Sequence, residues 1–211
     1  MKELFLISGL GADQRVFEFL DLSGYKLNYV DWIHPLPDES IEQYAQRLLK
    51  QIPVEKPILI GVSFGGIVAI EIGKLIPTEK IIQVSSAEVR SAIPWYFRLA
   101  GKLQFHKLLQ GSIRPPARLL YYFFGVKEPY EKELLLKIIR ETDPAFLKWA
   151  IDKIVHWENT TLLPNVTIIH GNKDNIFPNQ MTNNLILDGG HFMIVNMADV
   201  ISRTIRGILS K

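Results

Sequence analysis

Short apolar runs alternate with longer amphipathic stretches along most of the chain. Strands are expected at Glu3–Ser8, Lys26–Asp31, Pro57–Val62, Lys80–Val84, Asn165–His170 and Asn184–Leu187. Several of these runs are continuously apolar, the pattern of strands covered on both faces. Between the second and third, Ile41, Tyr44, Ala45, Leu48, Leu49 and Ile52 recur at three- and four-residue steps and form one helical stripe, with Asp38 placed to cap it. Further helices are expected over about Phe64–Leu75 and Ala198–Leu209, the last turning Val200, Ile201, Thr204, Ile205 and Ile208 inward. Strands alternating with helices predict an α/β fold with a mostly parallel sheet of six strands and helices on both faces.

One stretch departs from that rhythm. Residues 86–157 show no strand pattern and read as short helices broken by Pro94, Gly111, Pro115-Pro116, Gly125 and Pro129. They are rich in aromatics, including Trp95, Tyr96, Phe97, Phe105 and Tyr121 to Phe124. A helical insertion of this kind lies outside the sheet layer. The division predicted is a core of 1–85 and 158–211 with a helical lid of 86–157 over the carboxyl ends of the strands, where open α/β sheets bind ligands.

Composition narrows the chemistry. The 211 residues are 47% hydrophobic and 22% charged, with 24 Lys and Arg against 22 Asp and Glu. A formal charge of +2 gives no electrostatic footprint for nucleic acid. Cysteine is absent, so disulfides, thiolate catalysis and Cys-ligated metals are excluded. No run reaches the ~20 apolar residues of a membrane span. The N-terminal apolar run, Leu4 to Ile7, is shorter than a secretory core, so a cytoplasmic protein is expected. Between residues 86 and 118 the basic side chains are Arg90, Arg98, Lys102, Lys107, Arg114 and Arg118, with Glu88 the one acid. That stretch reads as a solvated face, as steering for an anionic substrate, or as an interfacial surface with Trp95, Tyr96 and Phe97.

Candidate chemistry centres on Gly61-Val62-Ser63-Phe64-Gly65-Gly66, at a strand-to-helix junction. A serine on so sharp a turn projects its hydroxyl from the sheet, and its neighbours two residues away must be nearly free of side chains. A base is offered by His191, in the loop Gly189-Gly190-His191 after the last strand, with His170 as runner-up. His34 lies in a loop, and His106 and His156 fall in the insertion as surface or packing residues. Asp174, just past the fifth strand, can orient the base, with Glu88 as the alternative acid. The turn Ser8-Gly9-Leu10-Gly11 after the first strand can aim the Leu10 N–H, beside that of Phe64, at a developing oxyanion; an ordinary turn would use the same glycines. Pro94, Trp95 and Phe124 are expected to line the pocket. No phosphate loop or metal cluster is evident, Gly9-Leu10-Gly11 lacks the further glycine of a dinucleotide site, and no cofactor is implied.

These motifs, in the order Ser63, Asp174, His191, resemble the α/β-hydrolase superfamily over nearly the whole chain. The resemblance implies a serine hydrolase, since relatives that are dehalogenases or epoxide hydrolases carry aspartate at the elbow. It implies an acyl-enzyme on Ser63 and a small-molecule substrate: an ester, thioester, amide, lactone or diketone. A small to medium, partly hydrophobic carboxylic ester is the reading adopted, with a non-catalytic binding protein as the alternative. Membrane contact is not expected. Three features depart from the family pattern: Ser8-Gly9 in place of His-Gly, a sheet trimmed to six strands, and a short crossover from Asn175 to Asn183, for which a loop or single turn is expected.

Overall fold

The computed structural model describes residues 1–103, 116–178 and 185–210. Its sheet has six strands, all parallel: β1 (Glu3–Ile7), β2 (Lys26–Val30), β3 (Ile58–Val62), β4 (Lys80–Val84), β5 (Val166–Gly171) and β6 (Leu185–Leu187). Their spatial order is β2-β1-β3-β4-β5-β6. The chain therefore leaves β1 toward one edge, returns, and continues from β3 toward the other. The reversal opens a crevice at the carboxyl ends of β1 and β3, the switch point where open α/β sheets hold ligands.

Alternating side chains divide the core between the two faces. Leu4, Leu6, Ile58, Ile60 and Val62 pack with the helices α7 (Met193–Asn196) and α8 (Ala198–Leu209). Phe5, Ile7 and Leu59 pack with α1 (Ile41–Leu48) and α2 (Phe64–Leu75). Every residue of β3 is buried, as the apolar run requires. The cap of α1 differs from expectation. Ser40 accepts from the Gln43 N–H while the Gln43 side chain accepts from the Ser40 N–H, a reciprocal box, and Asp38 instead takes a left-handed turn conformation (φ 57°). The α1 stripe is buried at Ile41, Tyr44, Ala45 and Leu48, after which a 3-10 turn (Leu49–Gln51) closes the element. In α8 the buried face is Ile201, Ser202, Ile205, Ile208 and Leu209, so Val200 and Thr204 lie only at its margin.

Between β4 and β5 stand four α-helices among the described residues: α3 (Trp95–Lys102), α4 (Ala117–Phe124), α5 (Pro129–Glu141) and α6 (Pro144–Val155). Proline opens both α5 and α6, where its missing N–H costs nothing. Helix α6 is anchored in the body. Phe146 and Ala150 are buried, Trp149 stacks on Tyr44 at 4.4 Å, and Phe146 sits 5.2 Å from Trp32. Trp95 does not pack inward and is 65% exposed. His106, Phe105, Gly111, Pro115, Lys107 and Arg114 lie outside the described residues, as do Asn184 and most of the crossover after Pro178. No helix among the described residues is long and apolar enough to cross a membrane.

Candidate active site

Ser63 lies between β3 and α2 with φ 51° and ψ −120°, a conformation that a residue with a Cβ enters only when its surroundings enforce it. The enforcement is backbone packing. Its N–H donates to the Val84 carbonyl at 3.0 Å. A Cβ on Gly61 would lie 2.5 Å from the Gly65 carbonyl oxygen, and one on Gly65 would lie 2.2 Å from that of Ser8. Both positions are therefore closed to any side chain.

The register Ile7↔Gly61 puts Gly9 level with Ser63, where a Cβ added to Gly9 would lie 3.5 Å from the Ser63 Cβ. His191 reaches the same point from the loop between β6 and α7. Its Nε2 is 2.9 Å from Ser63 Oγ and its Nδ1 is 2.8 Å from Asp174 Oδ2. The carboxylate fixes the proton on Nδ1, which leaves Nε2 as acceptor for the serine hydroxyl. Asp174 is held in turn by the N–H groups of Ile176 and Phe177, which donate to Oδ1 at 2.8 and 2.9 Å. The rings of Phe124 and Phe177 flank the imidazole edge-on at 5.5 and 5.7 Å. Both Asp174 and His191 are buried, while Ser63 retains access to the cavity.

Burial pushes the Asp174 carboxyl upward, but the opposing charge of His191, its hydrogen bond and that of the Phe177 N–H together hold it below the ordinary carboxylate value. A depressed folded value means that ionised Asp174 contributes stability above its unfolded value of ~3.9 and that this contribution is lost as pH falls through the folded one. Asp174→Asn is accordingly expected to flatten the acid limb of melting temperature against pH below about pH 5, measured by thermal denaturation from pH 3 to 7.

The other sequence candidates separate clearly. His170 is buried, its Nε2–H donates to the Phe177 carbonyl, and it lies 3.7 Å from Asp174 Oδ2, so it braces the acid loop and does not reach Ser63. Burial lowers its pKa, which favours the neutral ring. Glu88 accepts from the Leu163 N–H, with burial raising its pKa, and takes no part in the relay. His156 lies against Asp152 of its own helix, and His34 contributes only its carbonyl, to Arg47. The Leu10 and Phe64 N–H groups have no acceptor among the described residues and lie on the two segments that meet at Ser63.

A cavity of about 650 Å³ opens from Ser63 and His191. Phe124 lines it. Pro94 and Trp95 do not, because α3 turns Phe97 to the cavity and Trp95 to solvent. Most of the wall comes from residues the sequence did not single out, among them Leu135, Ile138, Ile151 and Ile154 of α5 and α6. Lys148 is the one Lys, Arg, Asp or Glu among the described lining residues, and none of Arg90, Arg98, Lys102 or Arg118 borders the cavity. Arg90 pairs with Glu158. Among the described residues no three His, Asp or Glu side chains converge as a metal ion would need.

No known family profile matches the sequence, and no curated protein matches it. Solved structures do match in shape. An esterase from Thermogutta terrifontis superposes with a TM-score of 0.75 at 16% identity, over 100% of this chain and 90% of that one. The esterase EaEST from Exiguobacterium antarcticum gives 0.73 at 16%, over 100% and 92%. A bromoperoxidase from Bacillus anthracis gives 0.67 at 17%, over 100% and 92%. The arrangement common to them is the α/β-hydrolase fold, and the chain has it, with six parallel strands among the described residues.

Proposed function

We propose that this α/β-hydrolase-fold chain is a serine hydrolase that cleaves a small to medium, partly apolar carboxylic ester, or a related acyl compound, through an acyl-enzyme on Ser63. The observation that carries the reading is the hydrogen-bonded relay from Ser63 through His191 to Asp174, facing an apolar cavity. In this mechanism Nε2 of His191 takes the hydroxyl proton as Ser63 Oγ attacks the ester carbonyl carbon. Asp174 stabilises the imidazolium, and the Leu10 and Phe64 N–H groups receive the oxyanion. Collapse of the tetrahedral adduct expels the alcohol, which takes the proton from His191. Water then repeats the sequence and releases the acid.

The helices of residues 86–157 act in this reading as a lid that excludes water and supplies the apolar wall. Such a wall favours an apolar acyl or alcohol part. Along a series of p-nitrophenyl esters from acetate upward, kcat/KM is expected to rise about fourfold per added methylene, from ~0.8 kcal/mol of burial each, until the cavity is filled. A flat or falling series would remove the apolar wall from the specificity argument.

The direct test is a fluorophosphonate probe read by intact mass. One adduct on the wild type and none on Ser63→Ala is the expected result. Folded wild-type protein that takes no adduct, yet binds an apolar ligand saturably, would replace the hydrolase with a binding protein.

A further inference from the structure

The proposed oxyanion donor on Leu10 belongs to a loop, and a donor is useful only if it is already aimed when charge develops. The Leu10 N–H and the Gly9 carbonyl are the two ends of one rigid peptide plane, so whatever fixes the carbonyl also fixes the direction of the N–H. The Gly9 carbonyl accepts two hydrogen bonds. One is local, from the Ala12 N–H at 3.0 Å within the same turn. The other comes from outside the loop: the indole Nε1–H of Trp32, just past β2, donates to it at 3.2 Å.

Trp32 is itself fixed on several sides. Its ring lies 5.4 Å from Phe64, whose backbone N–H is the second proposed donor, 5.2 Å from Phe146 of α6, and 6.3 Å from Tyr44. The adjoining backbone is locked as well, because the Tyr44 hydroxyl donates to the Ile33 carbonyl at 2.8 Å and accepts from the Ile33 N–H at 3.0 Å. One indole therefore grips the peptide of the first donor by a hydrogen bond and packs on the residue of the second. Ser8 completes the turn by donating its hydroxyl to the Ala12 carbonyl at 2.6 Å.

We infer that Trp32 is a positioning residue for the oxyanion hole, aiming the Leu10 N–H at the oxyanion that develops on the substrate carbonyl oxygen as Ser63 attacks, through its hydrogen bond to the Gly9 carbonyl. The inference rests on the serine-hydrolase reading of the site. It gives the bond a consequence that packing alone does not have: its loss should weaken the transition state while leaving substrate binding nearly unchanged.

The test uses Trp32→Phe, which keeps an aromatic ring and removes the N–H, assayed on p-nitrophenyl octanoate and with an alkyl trifluoromethyl ketone that forms a hemiketal on the serine. The expected result is a fall in kcat of about 10- to 100-fold, KM within about twofold, and a matching loss of ketone affinity. A variant with 3-benzothienylalanine at position 32, isosteric but without the donor, should show the same split if Trp32→Phe does not fold. Unchanged kcat and ketone affinity in the folded variant overturn the inference, as does a loss confined to KM. Stoichiometric fluorophosphonate labelling of the wild type separates the two levels: label with unaltered kcat in the variant rejects the role of Trp32 alone, whereas no label rejects the hydrolase reading beneath it.

Discussion

Ser63→Ala is expected to lower kcat/KM for ester hydrolysis by about four to six orders of magnitude, and His191→Ala by a similar factor. The double variant should be no worse than either single one, because a nucleophile without its base and a base without its nucleophile fail at the same step. The comparison needs kcat/KM for the wild type, both single variants and the double variant on one p-nitrophenyl ester. Activity within tenfold of the wild type in Ser63→Ala would move the reaction away from this serine. A second readout follows from the backbone. Ser63 occupies φ 51° and ψ −120°, a region that costs a residue with a Cβ ~1–3 kcal/mol. Ser63→Gly should therefore be inactive yet more stable, by about 2–4 °C of melting temperature for each kcal/mol released in a chain this long.

The second large effect concerns Gly65. A Cβ there would approach the carbonyl oxygens of Ser8 and Ile7 at 2.2 and 2.3 Å. Both are backbone atoms at the end of β1, and they cannot move without dragging the loop that carries Leu10. Gly65→Ala is expected to destabilise the protein by more than ~3 kcal/mol. Activity should fall as well, because the loop and the elbow share that contact. Gly207, in α8, is the control: a Cβ added there meets nothing within 4 Å. Gly207→Ala should leave the protein as stable or up to ~1 kcal/mol more stable, from helix propensity alone. Equal melting temperatures for the two variants would contradict the packing argument at the elbow.

The elements that were legible in the sequence share one property. Strand β3, helix α2 and the elbow between them are dictated by neighbours within a few residues: an apolar run, two glycines at fixed offsets and a second, longer apolar stretch. His191 and Asp174 were legible for a related reason, since each follows a strand and a parallel sheet gathers the residues after its strands at one edge. The hydrogen bonds joining them are consistent with that placement. The cap of α1 shows the limit of such reading. Asp38 and Ser40 are both good capping residues, and the reciprocal bond with Gln43 selected Ser40.

Other parts of the site were not legible, because they depend on the directions of elements and not on their existence. Periodicity indicates that an insertion is helical, but not how each helix is rotated about its axis or which surface it meets. Hence Trp95 faces solvent while Phe97 borders the cavity, and α5 and α6 supply a wall that no motif marked. Trp32 is the clearest case. It bears no signature, and its hydrogen bond to Gly9 spans 23 residues of sequence. The sequence by itself determined the parallel sheet, the strained serine and the order of its partners, because those follow from local sterics and from the common edge of parallel strands. Only the tertiary structure decided the shape of the pocket, which candidates line it and which side chain grips the loop at Gly9, because those depend on contacts between segments whose relative rotation no local pattern encodes.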